Sequence, residues 1–178
     1  MNRLLVGGIG CSFLGLVVYV VGIATTAWLS VAQSGAEDKV GLWQECVYNP
    51  QFGRTICIGT TDISRLPAAF NASRAFTVIG IMLLIPGLAL ACFTLKKNSN
   101  KFKKIGGGMI IAGGVCGIIA AACFTGYAVN LFQTSGVPVP FGYSFYLTWV
   151  QAVFTIMGGA IIICSGRRDE EDELPMVR

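Results

Sequence analysis

Hydrophobic positions along the chain collect in four long runs, residues 4–27, 75–95, 105–131 and 143–165, none of which contains Asp, Glu, Lys or Arg. A helix crossing a bilayer needs about 20 apolar residues, and each run supplies them. The polar positions fall between and beyond the runs: a long stretch 28–74, short stretches 96–104 and 132–142, and a tail 166–178. The pattern predicts an all-α four-helix transmembrane bundle, with residues 1–178 forming one tetraspan domain.

Charge adds an orientation. The segment Lys96-Lys97-Asn98-Ser99-Asn100-Lys101-Phe102-Lys103-Lys104 carries five basic residues, and Arg3, Arg167, Arg168 and Arg178 lie on the same side, making nine. The opposite side has four, Lys39, Arg54, Arg65 and Arg74, in a much longer loop. Lys/Arg excess near span ends marks the cytoplasmic face. Both termini are therefore expected to be cytoplasmic, in a multi-pass plasma-membrane protein with outer loops 28–74 and 132–142. The first run could instead be a cleaved leader, because Ala24-Thr25-Thr26-Ala27 loosely resembles a cleavage site. At 24 residues it exceeds the apolar core of a leader, about 7–15 residues. The acidic run Asp169-Glu170-Glu171-Asp172-Glu173 reads as a solvated end.

Composition then excludes whole classes of chemistry. Of 178 residues, 54% are hydrophobic and 12% charged, against about 25% charged in soluble domains. A disordered chain, a nucleic-acid-binding domain and an ordinary soluble enzyme do not fit, so no nucleic-acid partner is expected. There is no His, the commonest general base and metal ligand. With no ionisable residue inside any run, pump and transporter readings lose their support. Gly106-Gly107-Gly108 follows a basic segment, but Met109-Ile110 stands where a phosphate loop needs Lys-Ser/Thr. No catalytic residue, metal or cofactor is expected.

Small residues suggest how the spans pack, since they let helices approach closely in lipid. Gly113, Gly117 and Ala121 recur at four-residue spacing, with Ala112, Cys116 and Ala120 on the adjacent row. Gly8 with Ser12, Cys11 with Gly15, and Gly158-Gly159-Ala160 offer shorter ridges. These ridges suit packing inside one bundle or, alternatively, a homo-oligomer face. Pro86 is expected to kink the second span.

The outer loop holds the informative cysteines. Cys11, Cys92, Cys116, Cys123 and Cys164 lie in spans, whereas Cys46 and Cys57 lie in loop 28–74. That loop folds in the oxidising secretory lumen, so a Cys46–Cys57 disulfide is expected. A metal site is the alternative, but two Cys without His cannot supply four ligands. Between them stands the turn signal Asn49-Pro50-Gln51-Phe52-Gly53, flanked by 40–48 and 54–58, which mix β-branched, aromatic and alternating residues. The expectation is a hairpin clamped by one cross-strand disulfide.

Trp28 at a span boundary, Gly41-Leu42-Trp43 ahead of Cys46, Cys57 beyond it, and Arg74 at the second run form one pattern. It resembles the claudin superfamily signature, Trp…Gly-Leu-Trp-x-x-Cys…Cys with an Arg entering the second helix. Phe70-Asn71-Ala72-Ser73-Arg74-Ala75-Phe76 and Phe141-Gly142-Tyr143-Ser144-Phe145-Tyr146-Leu147-Thr148-Trp149-Val150 are similar to the peripheral myelin, epithelial membrane and lens-fibre intrinsic protein branch, nearest the lens-fibre type. The terminal Pro175-Met176-Val177-Arg178 departs from claudins proper, because a charged last residue does not suit PDZ capture. The resemblance implies a left-handed four-helix bundle with a small extracellular antiparallel β-sheet, a claudin-like fold. The sheet would draw mainly on the first outer loop and add a strand near 137–139. Trp28, Leu42 and Trp43 would fill the space between sheet and helix ends, and Arg74 would bond loop backbone there.

Three modification sites are candidates. Asn71-Ala72-Ser73 is an N-glycosylation sequon. Cys92 and Cys164 lie near cytoplasmic span ends, where palmitoylation or simple burial would each account for them. The basic inner segment is placed to touch anionic membrane lipids.

A disulfide-braced outer sheet on a bundle without intramembrane chemistry points to a structural role in cell–cell contact, adhesion or junction organisation. The partners would be like or related tetraspan proteins in the same and the opposing membrane. A paracellular barrier or pore is the alternative, although Glu37, Asp38, Glu45 and Asp62 balance the four outer basic residues. An auxiliary subunit of an ion channel, as for gamma subunits, is another, and an enzyme is the weakest class.

Overall fold

The computed structural model describes residues 3–33, 36–49, 51–60, 66–97, 99–133 and 138–173, with 32, 33, 36, 37 and 169–173 described by backbone alone. In chain order the elements are helix α1 (Arg3–Ala24), strands β1 (Leu29–Gln33), β2 (Ala36–Val40), β3 (Gln44–Asn49) and β4 (Arg54–Gly59), then helices α2 (Ala68–Phe93), α3 (Asn100–Phe132) and α4 (Tyr143–Glu173). Among the described residues, four helices are long and apolar enough to cross a membrane.

Three helices outrun their apolar runs, α2 at its start, α3 at both ends and α4 at its far end, whereas α1 stops at Ala24, short of residue 27. α2 starts at Ala68 and not at 75, so Asn71 and Arg74 stand on a helix. Pro67 (φ −57°) precedes it, and its fixed φ suits a helix start. α3 starts at Asn100, which puts Lys101, Lys103 and Lys104 on its first turns. α4 continues through the arginines and the acidic run to Glu173. Helix needs only compatible residues, whereas hydropathy registers the lipid, and so the two boundaries differ. α2 runs unbroken through Pro86.

α1 packs along α4, α4 along α3 and α3 along α2, while α1 meets α2 only lightly. The small residues make these approaches possible. A Cβ on Gly113 would lie 2.6 Å from Leu84 Cγ and 2.9 Å from the Gly80 carbonyl. One on Gly107 would lie 2.8 Å from the Gly159 carbonyl, and one on Gly15 would lie 2.6 Å from Thr155 Cγ2. The glycines of these ridges are thus spent within the bundle, while Ala112 and Ala160 are exposed on its outside. α1 is a full member of that interior, as Leu5, Ser12 and Tyr19 are buried.

The strands form one sheet in the order β1-β2-β3-β4, each pair antiparallel. β1 and β2 pair from Leu29↔Val40 to Gln33↔Ala36, while β2 and β3 pair only at Lys39↔Cys46 and Val40↔Glu45. Past that point the Asp38 carboxylate accepts the Tyr48 backbone N–H at 3.0 Å. β3 and β4 pair along their whole length, Gln44↔Gly59 to Asn49↔Arg54.

The expected strand at 137–139 is corrected. Residue 137 lies outside the described residues, and Pro138 and Val139 carry no strand. Proline has no N–H for a ladder, so this loop offers β1 mainly carbonyls. Ser30 N–H donates to Pro140 O at 3.0 Å, and one isolated bridge joins Leu29 to Phe141.

Candidate interaction site: the outer sheet and its seat

The seat begins where α1 ends. The last carbonyls of a helix lack intrahelical partners, and the Trp28 indole N–H donates to that of Gly22 at 2.9 Å. The Trp28 backbone N–H donates to Val40 O, its carbonyl accepts from Gly142, and the neighbouring Ala27 carbonyl accepts from Ser144, each at 3.0 Å. The buried ring meets Phe124 of α3 edge-on at 4.8 Å and Phe145 of α4 at 6.2 Å. One residue therefore ties α1, the β1–β2 hairpin, α3 and α4 together.

Gly41-Leu42-Trp43 forms the other half. A Cβ on Gly41 would lie 2.7 Å from Thr26 Cα, so only glycine lets β2 leave so close to the end of α1. Leu42 is fully buried. Its carbonyl accepts from Arg74 Nε at 2.7 Å and from Thr60 Oγ1 at 3.0 Å, and Arg74 Nη2 also donates to Thr60 Oγ1. The Arg74 guanidinium lies 4.7 Å from the Phe70 ring and 5.5 Å from the Trp43 ring. Among the described residues it has no carboxylate partner; backbone acceptors and ring faces compensate for its partial desolvation. Trp43 departs from expectation, because it is 37% exposed and covers Arg74 from outside instead of filling the interior. Burying Trp28 and Leu42 leaves the interior full, and the next residue emerges on the surface.

Cys46 and Cys57 are register partners on β3 and β4 and form a disulfide. The turn beyond them follows from its residues. Asn49 Oδ1 accepts the Gln51 N–H at 2.9 Å, and Gly53 has φ +59°, a conformation that favours glycine. On the face opposite the disulfide, Val47 opposes Ile56 and Glu45 opposes Ile58. Phe52 at the tip is 63% exposed and Ile58 55% exposed, with the Arg54 guanidinium 5.7 Å from the Phe52 ring. β4 is an edge strand, paired on the β3 side alone among the described residues.

The remaining candidates lie apart. Asn71 is exposed on the first turns of α2, its amide donating to Leu66 O at 3.4 Å. Cys92 and Cys164 are exposed thiols at the opposite ends of α2 and α4, and Cys11, Cys116 and Cys123 are half-buried. Thr60 and the ring cluster of Phe70, Phe124 and Tyr127 were not singled out by sequence. A Thr in a loop gives no signal, whereas aromatics recurring at one height of α2 and α3 could have marked the cluster.

The family model described as "PMP-22/EMP/MP20/Claudin family" matches residues 1–162. The chain is 27% identical to the lens fiber membrane intrinsic protein of Homo sapiens, over 92% of both sequences. It is 25% identical to Claudin-7-A of Danio rerio over 92% of this chain and 86% of that protein. With Claudin-18 of Bos taurus it shares 32% identity over 74% of this chain and 60% of that protein.

Proposed function

The chain belongs to the PMP-22/EMP/MP20/Claudin family, and from that premise we propose that it is a non-enzymatic structural protein of cell–cell contacts in the plasma membrane. Its termini face the cytoplasm and its sheet faces the neighbouring cell. Four membrane-spanning helices and a disulfide-closed sheet are the family architecture seen in this chain. The observation that carries the reading is the β3–β4 ribbon. Phe52, Val47, Ile56 and Ile58 are exposed there, in water and not in lipid, on a hairpin held rigid by Cys46–Cys57. Exposed apolar surface rimmed by polar residues marks a contact site. Its partners are like or related tetraspan proteins across the gap or alongside, with Asn71 a glycan acceptor and Cys92 an acyl acceptor.

Cells that do not adhere, expressing the tagged protein, should concentrate it at their contacts and form aggregates. Mixed culture with non-expressing cells decides whether the partner is the same chain. Uniform surface staining without aggregation would overturn the proposal.

A further inference from the structure

At the end of the molecule opposite the sheet, a notch of ≈ 270 Å³ opens between the first turn of α1 and the last turns of α4, lined by Leu4, Cys164, Arg167 and Arg168. Cys164, Arg167 and Arg168 stand at i, i+3 and i+4, which puts them on one face of α4. Both arginines are exposed. The acidic residues that follow continue the helix away from the bilayer. On the bilayer side the lining turns apolar. One turn up α1 from Leu4, the Cβ position of Gly7 has no described atom within 4 Å, so the surface of α1 next to the notch is open.

A notch with two guanidiniums at one end and Leu4 and Cys164 at the other has the polarity of a phospholipid. Arginine holds phosphate oxygens through paired N–H donors. At about 1.5 Å of rise per residue, Cys164 to Arg168 covers about 6 Å, the step from acyl chain to headgroup. Lys96, Lys97 and Arg3 are also placed by the proposed topology at the inner leaflet, where anionic lipid is enriched. We propose that this notch binds one anionic phosphoglyceride, its phosphate between Arg167 and Arg168 and an acyl chain along Leu4 and Gly7. The proposal rests on the membrane reading above but not on its cell-contact role.

The test uses the full-length protein in bilayers carrying spin-labelled phosphatidylserine or phosphatidylcholine, with the motionally restricted lipid read by electron spin resonance. The anionic lipid should associate about fivefold more strongly. The double variant R167Q/R168Q should bring that ratio to about one, and K96Q/K97Q, which removes equal charge elsewhere on the same face, should leave it unchanged. Leu4→Trp fills the notch without altering charge and should also abolish the preference, with an unchanged melting curve showing that the fold persists. A wild-type ratio near one, an equal fall in K96Q/K97Q, or indifference to Leu4→Trp would each overturn the site. Displacement by soluble glycerol phosphate at equal concentration would do the same, since it needs no acyl chain. Both leaflets carry the same lipid, so the result does not depend on orientation. Antibody access to the tail in intact and permeabilised cells tests orientation separately.

Discussion

Met82 on α2 is 69% exposed and Phe52 on the β3–β4 turn is 63% exposed, yet the two exposures have opposite meanings. Met82 belongs to a helix whose outer surface faces hydrocarbon, where an apolar side chain is at no cost. Phe52 stands in water, where the same surface costs roughly 25 cal/mol per Å² left uncovered. The two regions also cohere differently. The bundle is joined by many small close approaches, glycine against backbone and short side chain, none of which dominates. The sheet is joined to it by a few large, singular contacts, one indole and one guanidinium, and is closed within itself by one disulfide. Damage to the bundle should therefore be graded, and damage to the seat abrupt.

Trp28→Ala should have the largest effect, removing a buried ring and the indole hydrogen bond to Gly22, for a loss of about 3–5 kcal/mol. The protein should be retained inside the cell, and Trp28→Phe should recover part of the surface fraction read by flow cytometry. Next comes C46A/C57A, which should cost about 2–3 kcal/mol and loosen only the outer ribbon. Limited proteolysis should cut within 44–59 while helical circular dichroism is kept; loss of the helices as well would show that sheet and bundle are one cooperative unit.

In the bundle, Gly113→Ala pushes α3 away from Leu84 and the Gly80 carbonyl of α2 and should cost about 1–3 kcal/mol. Gly10→Ala, where a Cβ meets no described atom within 4 Å, should be neutral or slightly stabilising by thermal melting. Equal effects at the two glycines would undo the account of close packing. Arg74→Lys keeps the charge but loses the Nε bond to Leu42 and the planar stacking on Phe70, and should cost about 1–1.5 kcal/mol in melting experiments. The smallest stability change, within about 0.5 kcal/mol, is expected for F52S/I58T. Contact enrichment should nevertheless be lost, and retention of adhesion would move the contact surface away from this ribbon.

These contrasts also explain what could be read from sequence. The helices were legible because a bilayer demands about 20 apolar residues, but their ends were not, since Asn71, Arg74 and Lys103 continue a helix that hydropathy no longer marks. Cys46 and Cys57 were legible through their compartment and the turn between them. Trp43 was not, because its neighbour Leu42 is equally apolar and only three-dimensional space decides which of the two is buried. The strand expected at 137–139 gave way to one bridge at Phe141, where Pro138 and Pro140 lack the donors a ladder needs. Thr60, the shared partner of Arg74 and Leu42, carries no local signal at all.

All four strands lie between α1 and α2, so the ribbon can close as soon as that stretch has left the ribosome, before the loop at Pro140 and Phe141 adds its bridge to β1. Chains fold from the amino end during synthesis. The rings that receive Trp28, Phe124 and Phe145, come only with the third and fourth helices. For that interval the half-made protein holds a finished sheet and an indole without its socket. Trp28 is covered only once the start of the fourth helix brings Phe145 to it.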